Sequence, residues 1–127
     1  MMLLDTNIFL EILLQQSKEA LAKTFINSQK KGSLFLSNYS LDSIGLKLYW
    51  TKKMNLLDQF GYDLKAAEIS LLTLGTDDLS TLASDLQKWK LDFDDAYQYT
   101  LAKKHGLDLV SFDTDFDKTD LKRIEPQ

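Results

Sequence analysis

Short apolar runs alternate with amphipathic stretches along the chain. Four runs have the length of a buried strand: residues 2–4, 34–36, 69–74 and 107–112. A short apolar run bounded by polar or turn residues is typical of a strand that is covered on both faces. Residues 122–125 predict a further strand at an edge of the sheet. The pattern therefore predicts a buried β-sheet whose strands are separated by helices.

Six segments carry apolar residues at the three- and four-residue spacing of an amphipathic helix. They are residues 8–14, 17–30, 37 or 40 to 50, 55–60, 76–89 and 92–105. In the third segment Ile44, Leu48 and Tyr49 share one face, and we expect Trp50 to close the core behind them. Gly61 is expected to end the fourth helix.

The alternation of strands and helices predicts an α/β sandwich with a mostly parallel sheet, in a single domain over residues 1–127. The content of 44% hydrophobic and 27% charged residues is ordinary for a soluble globular protein. No apolar stretch is long enough to span a bilayer, and no basic segment indicates a signal peptide, so we expect no membrane association. The absence of cysteine excludes disulfides and thiolate metal sites and fits a cytoplasmic location.

Acidic residues follow the apolar runs at both ends of the chain. Asp5 comes directly after the first run, and Asp113 comes directly after the run at 107–112. Because the carboxyl ends of parallel strands meet at one edge of a sheet, we expect these carboxylates to lie close together. Asp95, early in the helix at 92–105, and Asp42, early in the helix after strand two, are candidates for the same edge. For Asp42, a place in the first helical turn with no further role is an equally good interpretation.

Carboxylates in such a group repel one another unless a cation neutralises them. Mg²⁺ and Mn²⁺ prefer oxygen ligands, so Asp5, Asp95 and Asp113 form a candidate metal site, with Asp42 or Asp115 contributing. Such a metal would lower the pKa of a bound water and orient it for attack on a phosphodiester. The residues expected to orient these carboxylates by hydrogen bonds are Thr6, Asn7 and Ser111.

The ordered set of motifs resembles the PIN domain family, the fold of the VapC-type toxins of bacterial toxin–antitoxin systems. The matching pieces are the sequence Leu-Leu-Asp-Thr-Asn at 3–7, Asp95-Ala96 at the start of a helix, and Leu-Val-Ser-Phe-Asp-Thr-Asp-Phe at 109–116. The resemblance extends along nearly the whole chain. It implies a three-layer sandwich and an endoribonuclease that depends on Mg²⁺ or Mn²⁺ and cleaves single-stranded RNA. It also implies a cognate antitoxin and, often, a homodimer.

One position departs from the family pattern. The family usually has a glutamate early in the helix after strand two, and the matching position here is Ser43. Asp42 is one residue away, about 100° around the helix. Two interpretations stay open. Either Asp42 takes over the role of the glutamate, or the chain is a degenerate PIN-like scaffold that binds a protein partner or RNA without cleaving it.

Overall fold

The computed structural model of the chain describes residues 1–127, which form five strands and six helices. The strands are β1 (Met2–Leu4), β2 (Leu34–Ser37), β3 (Ser70–Leu72), β4 (Asp108–Val110) and β5 (Arg123–Ile124). The helices are α1 (Thr6–Leu13), α2 (Glu19–Ser28), α3 (Asn38–Trp50), α4 (Asn55–Ala66), α5 (Leu79–Trp89) and α6 (Phe93–His105). Two 3-10 turns, Thr76–Asp78 and Thr114–Lys118, lie before α5 and β5. No helix has the length and apolarity needed to cross a membrane.

All five strands belong to one sheet in the order β3-β2-β1-β4-β5, and every neighbouring pair is parallel. This confirms the predicted α/β architecture. The chain builds the sheet outward from β1 in one direction, and then returns to add β4 on the other side of β1. Such a reversal of strand order opens a crevice beyond the carboxyl ends of the strands on either side of it. The crevice here lies at the ends of β1 and β4.

The alternation of side chains along the strands divides the core into two apolar layers. Leu4, Leu36 and Val110 point to one face of the sheet, where the core residues of α1 to α4 pack against them. Leu3 and Leu109 point to the other face, where they pack with residues of α6. The sheet is therefore the middle layer of three, which confirms the three-layer sandwich.

Two predicted details of the helices are wrong. Trp50 is 72% exposed and Tyr49 is also exposed, because Ile44 and Leu48 alone occupy the buried face at the end of α3. Helix α4 does not end at Gly61 but continues to Ala66. Phe60 packs in the core, and the continued helix brings Leu64 against the same cluster. That packing outweighs the cost of about 1 kcal/mol for a glycine inside a helix.

Candidate functional site

The end of β1 and the end of β4 place two motifs side by side. Leu4 pairs with Val110 in the parallel register, and the backbone N–H of Asp5 donates to the carbonyl of Val110 at 2.9 Å. Asp5 leaves β1 as the N-terminal cap of α1, and its side chain accepts from the N–H of Thr6 at 2.7 Å. Ser111 leaves β4 at the same level and donates its hydroxyl to Asp5 at 2.6 Å. Asp5 is thus fixed from both strands.

Two further donors complete the surroundings of Asp5. Asn7 donates through Nδ2 to the carboxylate at 3.3 Å and to the hydroxyl of Ser111 at 3.2 Å. Gln98 of α6 donates through Nε2 to the same carboxylate at 3.2 Å. Burial raises the pKa of Asp5, and the hydrogen bonds from Ser111, Thr6 and Gln98 act in the opposite direction. Four donors therefore hold the Asp5 carboxylate in one orientation. Thr6 contributes its backbone N–H to this set and not its side-chain hydroxyl.

Asp95 lies in the first turn of α6 and is only 9% exposed. Unlike Asp5, its carboxylate accepts no hydrogen bond from the protein. Burial, together with the negative charges of the neighbouring acids Asp94, Asp113, Asp5 and Asp115, raises the pKa of Asp95 to about 7. A buried carboxylate with no donor and several like charges nearby is a costly group unless a cation binds to it.

The chain that follows β4 delivers two more acids to Asp95. Asp113 caps the 3-10 turn Thr114–Lys118 and accepts from the N–H of Asp115 at 2.8 Å. One carboxylate oxygen from each of Asp95, Asp113 and Asp115 lies within 4.8 Å of the other two. A second group at the start of α6 joins Asp95 to Asp92 and Asp94 at the same separation. Asp95 is therefore the acid common to both groups.

The acids surround a cavity of about 180 Å³ at the crevice. Its walls are formed by Asp5, Thr6, Asn7, Leu10, Tyr39, Ser43, Asp94, Asp95, Gln98 and Asp113. The structure thus brings Asp5 together with Asp95 and Asp113, which follow it at least 90 residues later in the sequence. Asp115 belongs to the carboxylate group described above but does not line the cavity.

Asp42 lies outside the cavity, whereas Ser43 lines it. Asp42 is exposed, and its carboxylate accepts from Asn38 Nδ2 at 3.5 Å. Successive residues of a helix point about 100° apart, so the start of α3 cannot direct both side chains inward. The structure therefore presents a hydroxyl where the family usually has a carboxylate.

Three polar residues of the cavity wall were not predicted as site residues from the sequence: Tyr39, Asp94 and Gln98. Gln98 is 1% exposed and connects α6 to α3 through a bond of 2.6 Å from its Nε2 to Ser40 Oγ. Gln98 lies three residues after Asp95, so the two side chains share one face of α6. This spacing is the feature of the sequence that could have identified Gln98 as a site residue. Tyr39 has its pKa raised by burial and by the charges of Asp94, Asp95 and Asp5, so its hydroxyl stays protonated.

No cation of the protein neutralises the acids of this site. The ion pairs of the chain involve other carboxylates, and the single arginine, Arg123, is bound to Asp117 and Glu125. The donor set consists of carboxylate oxygens, with no cysteine in the chain and no histidine among the cavity residues. Oxygen donors of this kind suit a hard divalent cation such as Mg²⁺ or Mn²⁺. The residues present therefore fit a bound metal ion.

Solved structures with the same fold cover the whole length of the chain. A toxin–antitoxin complex from Klebsiella pneumoniae is 17% identical with a TM-score of 0.78, covering 100% of this chain and 98% of its own. FitAcB from Neisseria gonorrhoeae is 23% identical with a TM-score of 0.72, covering 98% and 96%. VapC20 from Mycobacterium tuberculosis, described as a sarcin–ricin loop cleaving toxin, is 16% identical with a TM-score of 0.78, covering 99% and 100%. At these identities the similarity concerns the fold.

A search of curated proteins by sequence finds no match. The model of the PIN domain, in contrast, matches residues 2–122, nearly the whole chain. The match includes β1 with Asp5, the start of α6 with Asp95, and β4 with the acids that follow it. The resemblance seen in the sequence is therefore confirmed, and the chain belongs to the PIN domain family.

Proposed function

We propose that this protein is a metal-dependent endoribonuclease that cleaves single-stranded RNA and acts as the toxin of a type II toxin–antitoxin pair. The observation that carries the proposal is the group of carboxylates at the crevice, which has no cation partner in the protein. Membership of the PIN domain family supports nuclease chemistry. The similarity in fold to VapC20, which is named as a cleaving toxin, supports the same reading.

Asp95, Asp113 and Asp115 would hold Mg²⁺ or Mn²⁺, with Asp5 facing the same cavity. When bound, the ion would supply Lewis acidity toward a phosphodiester and activate water for its hydrolysis. Asp5 presents one fixed orientation because donors from β1, β4 and α6 hold it. Ser111 also accepts from the N–H of Asp113 at 2.9 Å, so one hydroxyl positions two of the acids.

Asp42 contributes no side chain to the wall of the cavity. Asp42 is exposed and lies outside the cavity, so a role in cleavage requires it to act at a distance or through a shift of the start of α3. We expect Asp42→Ala to reduce cleavage less than Asp95→Asn does. An equal loss in the two variants would place Asp42 within the catalytic set.

An antitoxin is the proposed protein partner, and a groove that shares no lining residue with the acidic cavity offers a place for it. The groove of about 430 Å³ lies between α1, α2 and α4, and apolar side chains such as Phe9, Ile26 and Phe60 line most of it. Lys23, Lys30 and Lys31 also belong to its lining. A helix or extended segment with apolar and acidic residues would match this combination. The solved toxin–antitoxin complex with the same fold supports a partner of this kind.

Ser43 favours a second candidate function. A serine in place of the usual acid lowers the negative charge of the site and removes one ligand. A scaffold that binds RNA or a partner without cleavage would tolerate that loss. The two functions differ in one measurable property, which is cleavage by the folded, metal-supplied protein.

The proposal is tested by incubating mixed single-stranded RNA with purified protein in Mn²⁺, Mg²⁺ or EDTA. Asp95→Asn is the test variant, because it removes the charge and keeps the shape of the side chain. Asp58→Asn, an exposed acid on α4, is the matched control. We expect metal-dependent cleavage by the wild type and the control, and loss of cleavage in Asp95→Asn. No cleavage by a folded wild type that binds Mn²⁺ would favour the non-catalytic scaffold.

A further inference from the structure

Three aromatic rings gather beside the acidic cavity. Tyr39, in the first turn of α3, lines the cavity, and its ring centroid lies 6.1 Å from that of Phe93 and 5.8 Å from that of Tyr97. Phe93 and Tyr97 lie on α6, and their centroids are 6.2 Å apart. We call Tyr39, Phe93 and Tyr97 the aromatic platform. It joins the two helices whose first turns form one side of the cavity.

Phe93 is exposed in a way that the fold does not require. Its side chain is 55% exposed, although it is the first residue of α6 and lies only two positions before the buried Asp95. Exposed phenylalanine retains apolar surface in water, at a cost that core packing would remove. A ring that is half covered by two other rings and open on its remaining surface can accept one more flat, apolar partner.

Tyr97 gives the platform a fixed position. Its hydroxyl accepts from the N–H of Leu74 at 2.9 Å and lies 3.2 Å from the hydroxyl of Thr73. The connection after β3 thereby holds the second ring of the platform, and Phe93 packs against that ring. A partner that stacks on Phe93 would meet a surface that is already ordered, so little conformational entropy is lost on binding.

The negative charge around the cavity favours contacts with the bases of a nucleic acid over contacts with its phosphates. The protein has a net charge of −4, and the acids of the cavity repel the phosphates of a nucleic acid. Lys18 Nζ lies 4.6 Å from the ring centroid of Phe112, the residue before Asp113, and no lysine or arginine forms an ion pair with the acids of the cavity. With so few positive charges at hand, much of the affinity must come from contacts that do not depend on charge. Stacking of bases on aromatic rings is the contact of this kind that proteins use for single strands.

We infer that the aromatic platform, through the open surface of Phe93, binds one unpaired base of single-stranded RNA and so positions the adjoining phosphodiester at the acidic cavity. The inference rests on the proposed function and adds the group that the protein recognises next to the cleaved bond. A paired base has both faces covered by its neighbours in the duplex, so the platform selects single strands. Since every base has a flat face, it selects little among sequences.

The test is a double-substitution cycle between the ring and the base. Wild type, Phe93→Ala, Phe93→Leu and Phe93→Tyr are assayed on labelled single-stranded RNA with Mn²⁺, and binding is measured by fluorescence anisotropy in the cleavage-deficient Asp95→Asn background with Ca²⁺. The same RNA with a single abasic nucleotide at each position near the cut, and DNA of the same sequence, are the comparison substrates. Trp50→Ala removes another exposed aromatic ring of α3, roughly 17 Å along the helix from Tyr39.

We expect Phe93→Ala and Phe93→Leu to bind RNA about tenfold more weakly and to raise KM by a similar factor, the loss expected for one stacked base. Phe93→Tyr keeps an aromatic ring for stacking, so it should bind RNA more tightly than Phe93→Ala and Phe93→Leu. Trp50→Ala, which lies outside the platform, should match the wild type. Removal of the base at one position of the RNA should weaken binding by the protein that retains Phe93. The same removal should not further weaken binding by Phe93→Ala. DNA should show the same dependence on Phe93 if the base alone is recognised.

Two outcomes separate this inference from the proposed function. Cleavage by the wild type together with unchanged RNA affinity and KM in Phe93→Ala would overturn the platform and leave the nuclease intact. RNA binding that depends on Phe93, without cleavage by the wild type, would support the platform. It would also favour the second candidate function, in which the protein binds RNA without cleaving it. Absence of RNA binding by the wild type would overturn the platform, whatever partner Phe93 then proves to contact.

Discussion

The charge of Asp95 should destabilise the metal-free fold at neutral pH. The residue is 9% exposed and its carboxylate accepts no hydrogen bond, and burial together with neighbouring acids raises its pKa from 3.8 to about 7. The folded protein therefore holds this proton more tightly than the unfolded chain. The stability that results is fully present below pH 3.8 and is lost as the pH rises through about 7.

The size of the effect follows from the shift in pKa. One pKa unit corresponds to about 1.4 kcal/mol, so the shift of Asp95 corresponds to about 4 kcal/mol at complete ionisation. Water that enters the cavity screens the charge, which reduces the expected effect to about 2–4 kcal/mol. Asp95→Asn keeps the size of the side chain and cannot ionise. Its stability relative to the wild type should increase by up to about 1.4 kcal/mol per pH unit between pH 4 and 7 and level off above pH 7.

Urea denaturation followed by circular dichroism in EDTA, at intervals between pH 5 and 8, measures this difference. Asp58→Asn, which removes an exposed acid from α4, should show no such trend. Addition of Mn²⁺ at one thousand times its Kd should reverse the order, because the ion then stabilises the wild type by about 4.1 kcal/mol and binds the variant weakly. Equal stability of wild type and Asp95→Asn at pH 8 in EDTA, or a difference that does not change with pH, would refute the reasoning.

Three further predictions concern other parts of the molecule. Ser111→Ala removes the hydroxyl that donates to Asp5, so we expect the free energy of unfolding to fall by about 1–3 kcal/mol. Mn²⁺ binding measured by calorimetry should also become weaker, and an unchanged Mn²⁺ affinity would exclude a positioning role for Ser111. Ile44→Ala should cost about 2–5 kcal/mol in denaturant unfolding because Ile44 is fully buried, and the exposed Leu46→Ala on the same helix should cost under about 0.5 kcal/mol. Ile26→Asp, in the groove between α1, α2 and α4, should prevent inhibition by a co-expressed antitoxin while RNA cleavage persists, and full inhibition of this variant would place the antitoxin elsewhere.

The sequence by itself indicated the parts of the structure that depend on local chemistry. The apolar runs at 2–4, 34–36 and 107–112 contain β1, most of β2 and β4, because a strand buried on both faces must be apolar throughout. The acids after the first and last of these runs are placed at one edge because parallel strands share a direction. The order of strands and helices, with the PIN-type motifs, was sufficient to predict the fold.

The tertiary structure alone decided which side chains of each helix reach the site. The sequence offers both Asp42 and Ser43 at the start of α3, and the packing of Ile44 and Leu48 in the core fixes the rotation that turns Ser43 toward the cavity. Gln98 looked like an ordinary polar residue of α6 until the bond to Asp5 joined residues 93 positions apart.

The same distinction explains the helix ends and the exposed rings. Gly61 lies inside α4 and Trp50 lies in solvent, because contacts with distant elements, not local propensity, fix the length and rotation of these helices. Periodicity identifies an apolar face but not the partner that covers it. The sequence therefore identifies the acids that can occupy this site. Packing between α3, α6 and the ends of β1 and β4 decides the distances between these acids, the raised pKa values of Asp5 and Asp95, and the position of the aromatic rings.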